Sequence, residues 1–348
     1  MRSIVLAGYY PPPLGGESVH VAELARQLRD HGASVSIINL RRAATASVNY
    51  ETVSGAVGVM RALRRRVGQC TLLHLHTNGH SLKSWGLIAL AAAVLWSRRA
   101  EGVMTLHSGL SPAYLRRCSF LGRRAIRIVL TRFPHVICVN TKIRDALIAI
   151  GISGNRLSVI PAYLGVPPVL RVEQSDVDLV NGFRPYIAAA AGDGPEYGVP
   201  ILLDAIAMLS QTFPSLGCVV MGSAGNDRLR AVVAERGLLH RVRCLGEVPR
   251  ERYLGLVSRA DLFVRPSLVD GDALSIREAL ALGRTVVASD TDARPDGVVL
   301  FRRGDAGDLA AKIAGALNAD HIATASACGG DAVEHILSIY RAYEGERF

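Results

Sequence analysis

Asp270 and Glu278 stand eight positions apart in ADLFVRPSLVDGDALSIREALALGRTVVASD, residues 260–290. The apolar run Leu262 to Val264, broken by Pro266-Ser267, predicts a strand. Residues 268–272 have loop composition, Ala273 to Leu282 suit a helix that Gly283 ends, and Thr285 to Ala288 predict a second strand. Two carboxylates are thereby brought near one helix N-terminus. The first amides of a helix lack intrahelical partners and the dipole favours an anion, so this is a place for a phosphate. The combination suits a nucleotide ligand.

Two other places carry residue types that could do chemistry. Gly15-Gly16 follows the apolar strand Ser3 to Ala7 and precedes a helix whose apolar residues Val21, Leu24, Ala25 and Leu28 recur at helical spacing. A glycine pair there lets a ligand approach the backbone closely. His107 ends the strand Gly102 to His107, where an imidazole can bond a hydroxyl or a phosphate. A structural histidine is the competing reading.

These residues need a scaffold, and the chain alternates strand and helix throughout. Further strands are expected at Val35 to Ile38, Cys70 to His76, His135 to Val139 and Leu157 to Ile160. From Val166 to Asn181 the composition turns polar, which marks a linker and a domain boundary. The alternation then restarts with strands at Tyr186 to Ala191, Cys218 to Met221 and Val242 to Gly246. With 348 residues, two domains are the default. The division is 1–165 and 166–330, and a last helix, 331–348, has Val333, Ile336, Leu337 and Tyr340 on one side and is expected to pack back on the first domain.

Composition narrows the partners. The net charge of +10 favours anionic ones, and Arg116, Arg117, Arg123, Arg124, Arg127 and Arg132 concentrate it within one segment. No zinc-finger spacing, aromatic RNA-binding motif or heptad basic region accompanies it, so nucleic acid ranks last. An anionic membrane surface or a solvated helix face explains it better. Six scattered cysteines without Cys-x-x-Cys pairs suit a reducing cytoplasm. The longest apolar run, Trp85 to Trp96, is shorter than the ~20 residues that span a bilayer, and predicts a buried helix.

Taken together, these residues resemble the family-4 retaining glycosyltransferases, whose GT-B fold sets two Rossmann-like, doubly wound parallel-sheet α/β domains facing a cleft. The resemblance runs nearly end to end. It rests on Gly15, Gly16 and His20, on His107, and on Pro266-Ser267 followed by Asp270, Glu278, Ala279 to Ala281, Gly283 and Val286-Val287. It implies transfer of a sugar from a UDP-, GDP- or ADP-sugar to a polysaccharide or lipid-linked oligosaccharide. The first domain is then the acceptor side and the second the donor side. Glu278 would hold the ribose hydroxyls, Asp270 and His107 would face the donor sugar, and the amides of Ala273, Leu274 and Ser275 would meet the diphosphate. Gly15 and Gly16 would close over the phosphates. Front-face substitution, with the departing diphosphate taking the acceptor's proton, needs neither cofactor nor metal. The Asp-x-Asp triplets at Asp176, Asp270 and Asp290 do not follow the strand order in which another glycosyltransferase fold binds a metal. The family also implies a cytoplasmic protein, peripheral on the inner face of the plasma membrane.

The chain departs from the family pattern in three places. Asp270 replaces a glutamate, Asp272 adds a carboxylate, and the loop after the second domain's first strand offers Asp193 and Tyr197 where the family has Arg and Lys. A diphosphate without a counter-charge is costly, so a substitute cation is expected. Arg265 and Arg277 are the first candidates, with Arg294 and Arg303 behind them. A nucleotide-sugar 2-epimerase of the same architecture and a non-catalytic nucleotide-sugar binder are the alternatives.

Overall fold

The computed structural model describes residues 3–12, 14–40, 49–68, 71–165, 170–192, 194–222, 226–291, 294–319 and 330–345. Asp193, Asp292, Cys70 and the Val166 to Pro168 start of the expected linker lie outside the described residues. The chain divides into two units, Met1–Leu164 with Cys328–Phe348, and Gly165–Ala327.

In chain order the first unit contains β1 (Ser3–Gly8), α1 (Gly16–Asp30), β2 (Val35–Asn39), β3 (Glu51–Thr52), α2 (Gly55–Arg66), β4 (Thr71–Thr77), α3 (Leu82–Ser97), β5 (Gly102–Leu106), α4 (Ser111–Arg117), α5 (Phe120–Val129), β6 (His135–Cys138), α6 (Thr141–Ala149) and β7 (Leu157–Val159). The second unit contains α7 (Gln174–Val180), β8 (Tyr186–Ala190), α8 (Val199–Leu209), β9 (Gly217–Met221), α9 (Asn226–Glu235), β10 (Val242–Gly246), α10 (Arg250–Ser258), β11 (Leu262–Arg265), α11 (Leu274–Ala281), β12 (Thr285–Ser289), β13 (Val298–Phe301) and α12 (Ala306–Asn318). The last helix, α13 (Gly330–Gly345), returns to the first unit.

Among the described residues, each unit has one parallel sheet, ordered β3-β2-β1-β4-β5-β6-β7 and β10-β9-β8-β11-β12-β13. Both sheets are covered on two faces, which is why their strands are continuous apolar runs. Along β1, Val5 and Ala7 join the cluster with α2 and α3, while Ile4 and Leu6 join the one with α1 and α13. This is the two-residue period of a strand. Val333, Ile336, Leu337 and Tyr340 of α13 are buried in that second cluster. In the second unit, Ile187 and Val264 face α8 and α12, and Ala188 and Phe263 face α10 and α11.

Strand order reverses between β1 and β4 in one sheet and between β8 and β11 in the other. Such switch points leave a crevice at the carboxyl ends of the strands, because the helices on either side depart to opposite faces. The candidate residues cluster at these two points.

Several elements differ from expectation. The polar stretch is not wholly a linker: α7 forms within it, because Asp176, fully buried, is held by Arg252 at 2.6 Å and Val180 packs into the core. The segments β3–α2 and β13–α12 are not among the expected elements. Trp85 is buried as expected, but Trp96 at the other end of α3 is exposed.

Candidate functional site

In the second unit, β11 ends on Arg265 at the switch point, and its guanidinium turns onto the loop that follows. Arg265 Nη2 donates to Asp270 Oδ1 at 2.8 Å, and Arg294, from the segment after β12, donates to Asp270 Oδ2 at 2.7 Å. The Ser267 hydroxyl also donates to Oδ2. Arg294 is anchored in turn by the Ser289 carbonyl at 2.9 Å. Arg265 lies over the Tyr197 ring at 5.0 Å. The loop carrying Tyr197 reaches this position through Gly198, at φ 66°, where a Cβ would collide with the Pro266 carbonyl oxygen.

Two guanidiniums against one carboxylate leave one positive charge in excess at the end of β11. Burial pushes the Asp270 carboxyl up, but the Arg265 guanidinium, then Arg294 and Ser267, pull it down to about 2. Its oxygens are engaged from three sides. Asp270, the residue expected to face the donor sugar, is held by two arginines.

The remaining cations are distributed differently from expectation. Arg277 is not beside Arg265: its Nε donates to Asp272 at 2.7 Å, a carboxylate whose side chain is 2 % exposed. Arg303 bonds the Leu268 carbonyl at 3.4 Å, and its amide bonds Asp290 at 2.8 Å. Arg294 is therefore the companion of Arg265. Arg250, which no sequence signal marked, donates through Nε and Nη2 to Glu278 Oε1 at 3.0 and 2.9 Å. Glu278 is buried on α11, and the Arg250 pairing fixes its rotamer.

No side chain caps α11 at Ala273, so the amides of Ala273, Leu274 and Ser275 head the helix with the dipole behind them. Amides, excess positive charge and a buried carboxylate are thus gathered within one loop and helix. This equips the unit to bind a phosphorylated ligand that also presents hydroxyls.

In the first unit, the sites form around imidazoles at the ends of β4 and β5. His107 Nε2 lies 3.2 Å from His76 Nδ1, and the His107 amide donates to the Thr77 carbonyl at 3.0 Å. His20 Nδ1 donates to the Ala162 carbonyl at 2.7 Å, which leaves its Nε2 as an acceptor. Burial lowers all these imidazoles, His20 to about 4 and His76 and His107 well below the usual range, with neighbouring imidazoles lowering the latter two further. At neutral pH they are uncharged and can both donate and accept. Among the described residues, His20, His76 and His107 are also the one group whose donor atoms, within 4.8 Å of one another, could share a metal ion.

Gly15 and Gly16 are exposed at the start of α1. A Cβ would meet nothing closer than 3.8 Å at Gly15 and nothing within 4 Å at Gly16. Internal packing does not require glycine at either position.

A model described as Glycosyltransferase Family 4 matches residues 14–162, and one described as Glycosyl transferases group 1 matches residues 173–327. A phosphatidyl-myo-inositol mannosyltransferase of Mycolicibacterium smegmatis is 27% identical over 326 residues, covering 85% of this chain and 77% of that protein. One of the subunits of human phosphatidylinositol N-acetylglucosaminyltransferase is 23% identical, over 84% of this chain and 62% of that one. Anabaena HepE, solved with UDP and glucose, superposes with a TM-score of 0.74 at 18% identity, covering 98% of this chain and 100% of that one. A putative UDP-N-acetylglucosamine 2-epimerase structure from Listeria monocytogenes has the same fold, with a TM-score of 0.68 at 12% identity over 100% of this chain and 98% of that one. With both halves matched and two all-parallel α/β units, the chain belongs to the family-4 glycosyltransferases of the GT-B fold.

Proposed function

We propose that the protein is a retaining, metal-independent glycosyltransferase that moves a sugar from a nucleotide-diphosphate sugar to a saccharide or lipid-linked acceptor. The observation that carries this reading is the gathering at α11: its N-terminal amides and the Arg265–Arg294 pair face one loop, and Glu278 is held by Arg250 one turn further on. In this reading the donor diphosphate sits on the amides of Ala273, Leu274 and Ser275. The excess charge of the arginine pair takes the place of the family's Arg and Lys. Glu278 accepts from the ribose hydroxyls, and Asp270 aims the two guanidiniums.

The C1–oxygen bond to the diphosphate breaks as the acceptor oxygen attacks from the same face, and the acceptor's proton passes to the departing diphosphate oxygen. The protein's part is placement and stabilisation of the leaving charge. His107, uncharged in its buried setting, suits a contact to a sugar hydroxyl. Gly15 and Gly16, free of any packing need for glycine, leave their backbone open to phosphates.

A membrane-surface role for the basic segment draws support from its side chains. Phe120, Leu121 and Ile128 on α5 are 78%, 74% and 61% exposed, beside Arg124 and Arg127. Apolar groups interleaved with arginines suit an anionic lipid surface better than a merely solvated face. No described helix is long and apolar enough to cross a membrane.

Incubation with radiolabelled UDP-, GDP- and ADP-sugars and lipid acceptors tests the reading: label is expected in the acceptor, and no transfer from any donor would sink it.

A further inference from the structure

Three imidazoles of the first unit converge from three elements: His20 on α1, His76 on β4 and His107 immediately after β5. One nitrogen from each lies within 4.8 Å of the others. Sheet order brings the rings together, since β4 pairs with β1 on one side and β5 on the other. Glycine at position 8 makes room for His76, because a Cβ there would lie 2.8 Å from His76 Cβ.

The ring nitrogens are arranged as ligands. His20 Nδ1 donates to the Ala162 carbonyl, which leaves a lone pair on Nε2, a buried atom without a partner among the described residues. A backbone carbonyl on one ring nitrogen, fixing the tautomer and the ring plane, is the usual support of a metal-binding histidine. His76 Nδ1 and His107 Nε2 lie 3.2 Å apart. Two nitrogens about 2.0–2.1 Å from one tetrahedral ion are separated by about 3.3–3.4 Å, so this pair already has the spacing of a coordination edge. Small rotations of the rings close the remaining separations. His76 Nε2 has no partner among the described residues, so no bond on that side fixes its tautomer and Nδ1 can present a lone pair. Burial keeps all three rings uncharged near neutrality, and no proton has to leave before an ion enters.

His20 and His76 are buried, whereas His107 is partly exposed, so an ion enters past His107 and keeps its fourth position on that side. Glu17 precedes His20 by three residues on the same face of α1, and the Cβ that Gly8 lacks would lie 3.5 Å from its Oε1. Oε1 accepts from the Tyr9 amide at 3.1 Å, while Oε2 has no partner among the described residues. Burial raises this carboxyl to about 7, and a dication beside it favours the ionised form, which offsets part of the ion's charge.

We infer that His20, His76 and His107 form a binding site for a borderline divalent metal ion such as zinc, and that an ion bound there opposes sugar transfer by taking His107 from the donor sugar. Three imidazoles select such ions over magnesium and calcium, which take oxygen ligands. The binding half stands on the geometry alone. The inhibitory half rests on the glycosyl-transfer reading, in which His107 contacts a sugar hydroxyl. An enzyme that needs no metal for its chemistry would then still respond to one.

The test is titration of the full chain, first stripped with EDTA, with cobalt(II) chloride followed by visible absorption. Wild type is expected to develop the intense bands of four-coordinate cobalt, saturating at about one equivalent; zinc chloride should erase them, and a roughly hundredfold excess of magnesium should not. His20→Gln and His76→Asn should each weaken cobalt binding about tenfold or more. His31→Gln, at an exposed imidazole 3.5 Å from Glu334, should leave it unchanged. Circular dichroism checks that each variant is folded, and the wild-type spectrum decides alone where a variant is not. A weak octahedral spectrum in wild type, or four-coordinate binding that survives both buried substitutions, overturns the site. In transfer assays, saturating zinc should lower the wild-type rate about tenfold or more, and should lower that of His20→Gln far less, each relative to its own metal-free rate. Binding at the three histidines with an unchanged wild-type rate overturns the inhibitory half. Absence of transfer from any donor in metal-free protein counts against the transfer reading, and the cobalt spectrum still decides the site.

Discussion

Replacing Asp270 by Asn tests the arrangement at the end of β11. The side chain keeps its size but loses the charge that two buried guanidiniums share, Arg265 at 11% and Arg294 at 3% side-chain exposure. Holding the carboxyl at about 2 instead of 3.8 corresponds to about 2.5 kcal/mol, since each tenfold change in proton affinity is worth about 1.4 kcal/mol. Leaving a buried charge uncompensated costs about 3–5 kcal/mol by the general experience of broken buried pairs. The two figures bracket a loss of roughly 3 kcal/mol, or a melting decrease of about 6–12 °C for a unit of this size. Urea unfolding of the second unit at pH 7 is the assay. The sign with pH follows from the depressed carboxyl. Its stabilisation is fully present above about 4, the unfolded value, and is lost as pH falls towards about 2. The gap between wild type and variant should therefore be constant from pH 7 to 5 and narrow below 4. A variant within about 0.5 kcal/mol of wild type at pH 7, the range of an ordinary surface change, would refute the buried pairing.

Glu278→Gln should weaken nucleotide-diphosphate binding by about 10- to 100-fold, the range for a lost charge-assisted hydrogen bond, with little change in affinity for pyrophosphate alone; calorimetry checks both. Dialysis against EDTA should leave transfer unchanged, and a loss restored by a divalent ion would move attention to His20, His76 and His107. Replacing Arg116, Arg117, Arg123 and Arg124 by Gln should reduce sedimentation with phosphatidylserine vesicles by about 1 kcal/mol per residue while nucleotide affinity holds. Unchanged sedimentation would mean that the face is merely solvated.

The two α/β units were legible because parallel strands buried on both faces are continuous apolar runs, as in Ile4 to Ala7 and Leu262 to Val264. The helix at Glu278 was legible from its alanines and terminal glycine. What periodicity does not carry is which charges meet across loops. Arg277 adjoins Glu278 in sequence yet pairs with Asp272, whereas Arg250, 28 positions away, reaches Glu278. Asp270 likewise meets Arg294 from 24 positions away. Glu17, one position after Gly16, lies in the first turn of α1, where an acidic residue is favoured by the helix dipole alone. Its burial beside His76 depends on Gly8 and on β4 arriving next to β1, a non-local fact. The polar composition of 166–181 concealed α7 for a similar reason, since Arg252 makes Asp176 buriable.

The most direct measurement is an NMR time course of the anomeric proton, with acceptor present and each UDP-, GDP- or ADP-sugar in turn. Retaining transfer predicts a new glycosidic signal with the donor's anomeric configuration, appearing at the rate at which nucleoside diphosphate is released. Inversion at C1, or conversion of the donor to its 2-epimer without need of acceptor, would contradict the account.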